Sequence, residues 1–455
     1  MNYAAAIRRK LLESRIRIVV LDDDPTGIQT VHGCLLVTQW QQGSLSEALS
    51  HPEPFFYLLT NTRAMTREQA AQVTRSAMEA VLEAARDRGF RLIFISRSDS
   101  TLRGHFPLEP QVMKEVLSRH GIPVFPLDFF IPAFLEAGRL TLGGIHYMKD
   151  GERLVPVAET EFARDNVFAY RHSDLRGYLE EKLGSSAFRH VNLGKDVQEL
   201  PEGERDALGA KLCAGELPCY VTLDTRDYDD IYRFCTALLH WAGDFDGAVV
   251  IRSSSSLPKA IAGVEDCPLL DKAVLIGEGP SAAKPLFIVG SHVRKTSLQL
   301  GKLLACEGTA GLEIDVRRIL EQDGGVYMQE VLSGIRSLQQ DGLTPVVYTS
   351  RQEIRLDDAD SRQALGQRVS DFLVGIASAL PQRPSCLIAK GGITSHDILT
   401  KGLGVRAATV LGQILTGVPC IRTGADAAVP GLPYVIFPGN VGGEDALSEV
   451  YMKLR

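Results

Sequence analysis

The chain has 455 residues, 45% of them apolar and 23% charged, with 42 glycines and 22 prolines. That length suits two to four domains at roughly 100 to 200 residues each, and the composition excludes disorder, collagen and coiled coil as descriptions of the whole. Lys and Arg number 49 against 56 Asp and Glu, a net charge of −7, which offers no broad basic surface for a nucleic-acid backbone.

Short β-branched runs alternate with amphipathic stretches along the whole chain, the pattern of an α/β protein with mostly parallel sheets. Arg17 to Leu21, Phe55 to Thr60 and Leu92 to Ser96 read as buried strands. Between the last two, a Thr66 to Gln69 capping-box spacing opens a helix that sets Met78, Val81, Leu82 and Ala85 on one face and stops at Gly89. A strand at Tyr220 to Leu223, a helix at Tyr228 to Trp241 and a strand at Ala248 to Ile251 follow. Residues 1–276 therefore read as one domain.

The small-residue and proline stretch 277–285 reads as a linker. The alternation then restarts over 286–455 as a second domain. Its strands are expected at Leu286 to Val289, Val346 to Thr349 and Cys386 to Ala389, and its helices near Ser297 to Cys306 and Ser361 to Leu380. Each domain is expected to be a mostly parallel sheet flanked by helices, with the active site in the cleft between them. No apolar run reaches the roughly 18 residues of a spanning helix, and MNYAAAIRRKLLESR lacks the apolar segment of a signal peptide. A cytoplasmic location is expected. The eight cysteines form no C-x-x-C pair and the ten histidines no H-E-x-x-H cluster, so reduced thiols are expected and hydrolytic zinc chemistry is not.

Three places carry candidate chemistry. DDDPTG, Asp22 to Gly27, directly follows the first strand, and ligands of α/β sheets bind beyond the carboxyl ends of strands. Asp22, Asp23 and Asp24 cannot all stay ionised at close range without partners, so a substrate hydroxyl, a metal ion or an arginine is implied. A capped surface turn is the other reading. RSDSTLRGH, Arg97 to His105, ends the third strand: Arg97 and Arg103 suit a carboxylate, while Ser98, Asp99, Ser100 and Thr101 suit polyol oxygens. Asn61, Thr62 and Arg63 bring the same polar chemistry to the end of the second strand. A structural ion pair is the plainer account of any one of these arginines.

Glycine-rich strand-to-helix loops recur in the second half. The amides of Gly391, Gly392 and Ile393 and the hydroxyls of Thr394 and Ser395 suit phosphate oxygens, and FPGNVGGED, Phe437 to Asp445, repeats the design. Neither is a Walker A or G-x-G-x-x-G sequence, and glycine is also needed in such turns for backbone reasons alone. With Ser291 and Lys295 in VGSHVRKTS, three anion-compatible loops in one domain suggest a nucleotide.

Taken together, DDDPTG, NTR, SDSTLRG, PAFLEAGR, KGGITS and PGNVGG resemble the four-carbon acid sugar kinase family, in that family's order and across nearly the whole chain. The resemblance implies an N-terminal sugar-acid-binding domain, a C-terminal nucleotide-binding domain, and ATP-dependent phosphorylation of tetronates or their 3-oxo derivatives. By position it makes Asp24, Arg63, Arg97, Ser98, Asp99 and Ser100 substrate-binding, and Ser291, Gly391, Gly392, Ile393, Thr394 and Gly439 ATP-binding. Arg97, Ile393 and Phe437 depart from the lysine, acid and lysine that many members carry. The expected enzyme uses ATP and Mg2+, with metal ligands unassigned. Arg63, Arg97 and Arg103 anchor substrate, and Asp23 and Asp24 orient the hydroxyl and take its proton, with Asp99 as rival for that role. Its partners are a small-molecule sugar acid and ATP, with no nucleic acid and no membrane, and a homodimer is allowed. The competing readings are a kinase for a branched or five-carbon oxo acid such as 3-oxo-isoapionate, and a sugar-acid sensor without catalysis. A dehydrogenase lacks its glycine fingerprint.

Overall fold

The structure, a computed structural model, describes residues 2–194, 201–215, 217–243, 245–277, 283–321, 324–351 and 359–455. The chain divides into two compact units, Met1–Asp266 and Cys267–Arg455. Of the expected linker 277–285, residues 278–282 lie outside the described residues.

In the first unit the strands are β1 (Ile16–Asp22), β2 (Leu35–Val37), β3 (Phe55–Leu59), β4 (Arg91–Arg97), β5 (Leu127–Ile131), β6 (Arg139–Leu142), β7 (Ile145–Asp150), β8 (Arg153–Pro156), β9 (Arg189–Leu193), β10 (Cys219–Leu223) and β11 (Val249–Ser253). Eight of them form a sheet in the order β2-β3-β1-β4-β11-β5-β10-β9, parallel throughout. A parallel sheet is covered by its crossover helices on both faces, so its strands read as unbroken apolar runs. Ile18, Val19, Val20, Phe55, Phe56, Tyr57 and Leu58 are all fully buried. Burial of each such side chain contributes about 1.5 to 3 kcal/mol, and Val19, Phe56, Met78, Val81 and Phe94 meet in one core. The helix Arg67–Ala85 carries the expected capping box at Thr66 and Gln69. β6, β7 and β8 form a separate antiparallel sheet.

The register aligns the strand ends. Asp22 lies opposite Leu59 on one side and Arg97 on the other, Arg97 opposite Ser253, and Ser253 opposite Ile131. Five post-strand loops therefore leave from one carboxyl edge.

The second unit contains β12 (Leu286–Val289), β13 (Thr309–Ile314), β14 (Thr344–Thr349), β15 (Leu387–Lys390), β16 (Ala407–Leu415), β17 (Val418–Thr423) and β18 (Pro433–Phe437). They run in the order β13-β14-β12-β15-β18-β17-β16. The first five strands of that order pair in parallel, and the β16–β17 and β17–β18 pairs are antiparallel. Val289, Lys390 and Phe437 share one register row, which puts the three glycine-bearing loops side by side. No helix among the described residues is long and apolar enough to cross a membrane.

Candidate functional sites in the two units

The acidic run closes the first strand because β1 pairs on both sides up to Asp22 and then turns away. Asn61 takes a left-handed conformation (φ 51°). Its amide and that of Thr60 donate to the Asp22 carbonyl at 3.1 and 2.9 Å, while the Arg63 amide reaches the Asp23 carbonyl at 3.2 Å. This locks the β3 loop against the β1 loop. The Arg63 guanidinium then bridges two carboxylates, with Nε 3.1 Å from Asp23 Oδ2 and Nη1 3.3 Å from Asp24 Oδ2. Behind it, Arg97 Nη1 donates to Asp22 Oδ1 at 2.8 Å and Nη2 to Ser255 Oγ at 3.1 Å. Ser98 Oγ donates to Asp23 Oδ2. Arg103 Nε donates to Asp99 Oδ2 at 2.7 Å, and its guanidinium also faces Asp165 and the Phe162 ring.

Exposure divides these groups into two layers. Asp24, Arg63 and Arg103 keep 24%, 19% and 25% of their side chains open, whereas Asp22, Asp23 and Arg97 keep 0%, 2% and 4%. The outer layer is within reach of a small molecule. The inner layer supports it: Ser98 and Ser100 are also buried, and the Ser100 carbonyl accepts from His146 Nε2 at 2.8 Å. Burial drives the His146 pKa down to about 4, so the ring is neutral and accepts from Thr141 Oγ1 at its other nitrogen.

The carboxylates are not equivalent. Burial pushes the Asp22 carboxyl up to about 7 despite Arg97, with Asp23 and Asp24 pushing the same way, and Asp22 Oδ2 is buried without a partner. Asp24 also meets a burial penalty, but Arg63, Arg97 and the Thr26 contacts outweigh it and hold its pKa below the ordinary range. Asp99 is held lower still, because Arg63, Arg103 and Thr101 overcome its burial. Packing here leaves no slack: a Cβ on Gly27 would lie 2.0 Å from Asp22 Oδ2.

Arg252 and Glu109 join this site without having been singled out in the sequence. Arg252, on β11, reaches Ser96 Oγ at 2.7 Å and forms a buried ion pair with Glu109, whose other oxygen accepts from Thr62 Oγ1 at 2.6 Å. The available signal was IRSSSS, Ile251 to Ser256, which repeats at a fourth strand end the arginine and hydroxyl chemistry of RSDST. A concavity beside these groups is lined by Asp99, Arg103, Phe130, Tyr178, Arg252 and Ser253.

In the second unit, the Gly290 and Ser291 amides both donate to the Lys390 carbonyl at 3.2 Å, and the Gly391 amide donates to the Phe437 carbonyl at 2.9 Å. Ser291 Oγ is 3.0 Å from Thr296 Oγ1. Gly392, Ile393 and Thr394 form the first turn of the helix Gly392–Asp397, where amides have no carbonyl of their own helix to meet. The Ile393 side chain is exposed, and a Cβ on Gly392 would meet nothing within 4 Å. Thr394 instead packs inward, so close that a Cβ on Gly290 would lie 2.1 Å from its Oγ1. Gly439 presents its carbonyl to Lys390 and Thr296. First-turn amides next in sequence to a buried lysine are a donor set suited to an anion. Among the described residues no group of three or more His, Cys, Asp and Glu side chains is placed to hold a metal ion.

The sequence matches a family model described as a sugar-binding N-terminal domain over residues 18–261 and one described as a nucleotide-binding C-terminal domain over residues 286–447. The chain belongs to the four-carbon acid sugar kinase family. Across the family, a protein of Heliobacterium modesticaldum named D-erythronate kinase is 24% identical over 385 residues, 80% of each chain. Two solved structures share the fold. A Haemophilus influenzae protein superposes with a TM-score of 0.68 at 16% identity, covering 96% of this chain and 100% of its own. A Salmonella typhimurium protein does so with a TM-score of 0.71 at 18% identity, covering 97% and 99%.

Proposed function

We propose that this protein is a Mg-ATP-dependent kinase that phosphorylates a hydroxyl of a small sugar acid, a four-carbon one such as erythronate, threonate or a 3-oxo-tetronate. The observation that carries this reading is the reachable quartet Asp24, Arg63, Asp99 and Arg103 at one sheet edge, within the domain matched as sugar-binding. Two guanidinium forks suit the acid group of the substrate, and two ionised carboxylates accept its hydroxyl hydrogens.

Phosphoryl transfer asks for positioning, charge neutralisation and a proton acceptor for the attacking hydroxyl. Asp24 is the acceptor we assign, because it stays ionised and is open to substrate, whereas Asp23 is buried under Arg63 and Ser98. Its depressed pKa makes it a modest base, which a loose transition state tolerates. Asp99, drawn to Arg103, orients hydroxyls. The amides of Gly392, Ile393 and Thr394 and of the Gly439 loop receive the triphosphate, and Mg2+ bound with ATP would neutralise phosphate charge, with no protein ligand assigned to it among the described residues. The reading is tested by ADP release in the presence of ATP and a panel of D- and L-threonate, D- and L-erythronate and their 3-oxo forms. Silence across the panel with ATP bound would favour a branched oxo acid or a non-catalytic sensor.

A further inference from the structure

Lys390 ends β15 and is fully buried. Its ammonium donates to the carbonyls of Pro438 at 2.6 Å and Gly439 at 3.2 Å, and lies 4.1 Å from the centre of the Phe437 ring. It therefore ties the loop after β18 to the strand from which the Gly391 loop departs. Other side chains fasten the same loop in the same sense. Thr296 Oγ1 donates to the Gly439 carbonyl at 3.4 Å, Lys295 Nζ to that of Asn440 at 3.1 Å, and Gln299 Nε2 to those of Val441 at 3.0 Å and Gly443 at 2.8 Å. In a trans peptide the N–H points opposite to the C=O. The carbonyls of Pro438, Gly439, Val441 and Gly443, held by the buried Lys390, Thr296 and Gln299, thus turn the amides of Gly439, Asn440, Gly442 and Glu444 away from those side chains.

Among the described residues no carboxylate forms an ion pair with this cation. Burial, with the like charge of Lys295 adding to it, lowers the Lys390 pKa to about 7. Of the other charged or titratable groups on the neighbouring elements, His292, Arg294 and Glu444 lie exposed, and Asp445 pairs with Lys302. Asp397 meets Ser370 and Lys401, Tyr434 donates to the Ser395 carbonyl, and Arg351 donates to the Ser291 carbonyl; His396 shares the helix with Asp397. A buried cation without an anion is costly. A bound anion would supply the complementary charge.

We infer that Lys390 is a positioning residue for a bound polyphosphate: it holds the Pro438–Gly443 loop with those amides turned away from the buried side chains and supplies the positive charge that the phosphates complete. This deepens the nucleotide reading above and rests on it. Binding then stabilises the ammonium, so affinity is greatest at low pH and falls as pH rises through 7.

The test uses the full chain and calorimetric titration with Mg-ATP from pH 6.5 to 8.5, in buffers of different ionisation enthalpy. The terminal phosphate, whose second ionisation lies near ~6, has lost its proton by pH 8, so proton uptake there reports the protein. Wild type should take up a fraction of a proton at pH 8. Lys390→Met should take up none and should bind about tenfold or more weakly at pH 6.5, one unit of recovered pKa being worth a factor of ten. That gap should narrow as pH rises. ATP binding without uptake in wild type, or equal affinity of the two proteins at every pH, overturns the role of Lys390 and leaves the nucleotide reading intact. If wild type binds tripolyphosphate in a Lys390-dependent way and does not bind ATP, the nucleotide reading falls and the role of Lys390 stands. Binding of neither removes both. Should Lys390→Met fail to fold, proton uptake by wild type decides alone.

Discussion

Arg97 Nη1 stands 2.8 Å from Asp22 Oδ1, and both side chains are buried beneath the residues a substrate could touch. Breaking such a pair from one side leaves an uncompensated buried charge, at a cost of about 3 to 5 kcal/mol. Arg97→Ala should therefore lower the stability of the first unit by up to that order at pH 8, where Asp22 is ionised, and by less near pH 5, read from denaturant unfolding. Arg97→Lys should lose less, because it keeps the charge and gives up the Ser255 contact.

The same pair makes stability depend on pH. Asp22 is raised to about 7 from a usual carboxylate value, so between roughly pH 4 and 7 the folded chain holds a proton that the unfolded chain releases. Its contribution is full below the unfolded pKa and is lost as pH rises through 7. Across that window wild type should lose stability relative to Asp22→Asn as pH rises. A difference constant from pH 4 to 8 would contradict the assignment.

Arg63 tests the outer layer. Arg63→Ala removes a charge-assisted contact from the substrate carboxylate, at a cost on the order of 1.5 to 3 kcal/mol of binding. The corresponding sugar alcohol should lose little. Equal losses would mark Arg63 as serving only Asp23 and Asp24, which it already bridges.

Gly392 is a clean probe of the second unit, since a Cβ there meets nothing within 4 Å. Gly392→Val should fold as wild type does and bind ATP more weakly, with sugar-acid binding unchanged. Gly290→Ala is the opposite case: its Cβ would press on Thr394 Oγ1, so stability itself should fall.

Much of this was legible before any coordinates. The runs RIVVL and LIFIS became β1 and β4, the Thr66 capping box formed, and the helix Tyr228–Trp241 starts at the capping residue Asp227. These features are local, and local sequence dictates them. The antiparallel β6–β8 sheet was missed, because half-exposed strands such as Arg153–Pro156 have neither a continuous apolar run nor a clean alternation, and the β16–β17 pair was missed as well. At the site, Asp22 to Asp24 and Arg97 to Arg103 stood out as clusters, whereas Glu109 sits in a helix and meets Arg252 only through tertiary packing. Which arginine lies inside and which outside depends on sheet register, not on residue type. Lys390 looked like part of a glycine loop until its burial was seen.

The most direct test of the account compares Asp24→Asn with Asp99→Asn in steady-state turnover of ATP and the best sugar acid of the panel, with product identified by phosphorus NMR. Wild type should form ADP and a phosphorylated sugar acid in equal amounts. Asp24→Asn should lose about 10² to 10⁴ in kcat with ATP affinity unchanged, and Asp99→Asn should mainly raise KM. Absence of any ADP or phosphorylated acid from wild type across the panel would contradict the kinase reading. An Asp24→Asn enzyme retaining more than about a tenth of kcat would contradict the role given to Asp24.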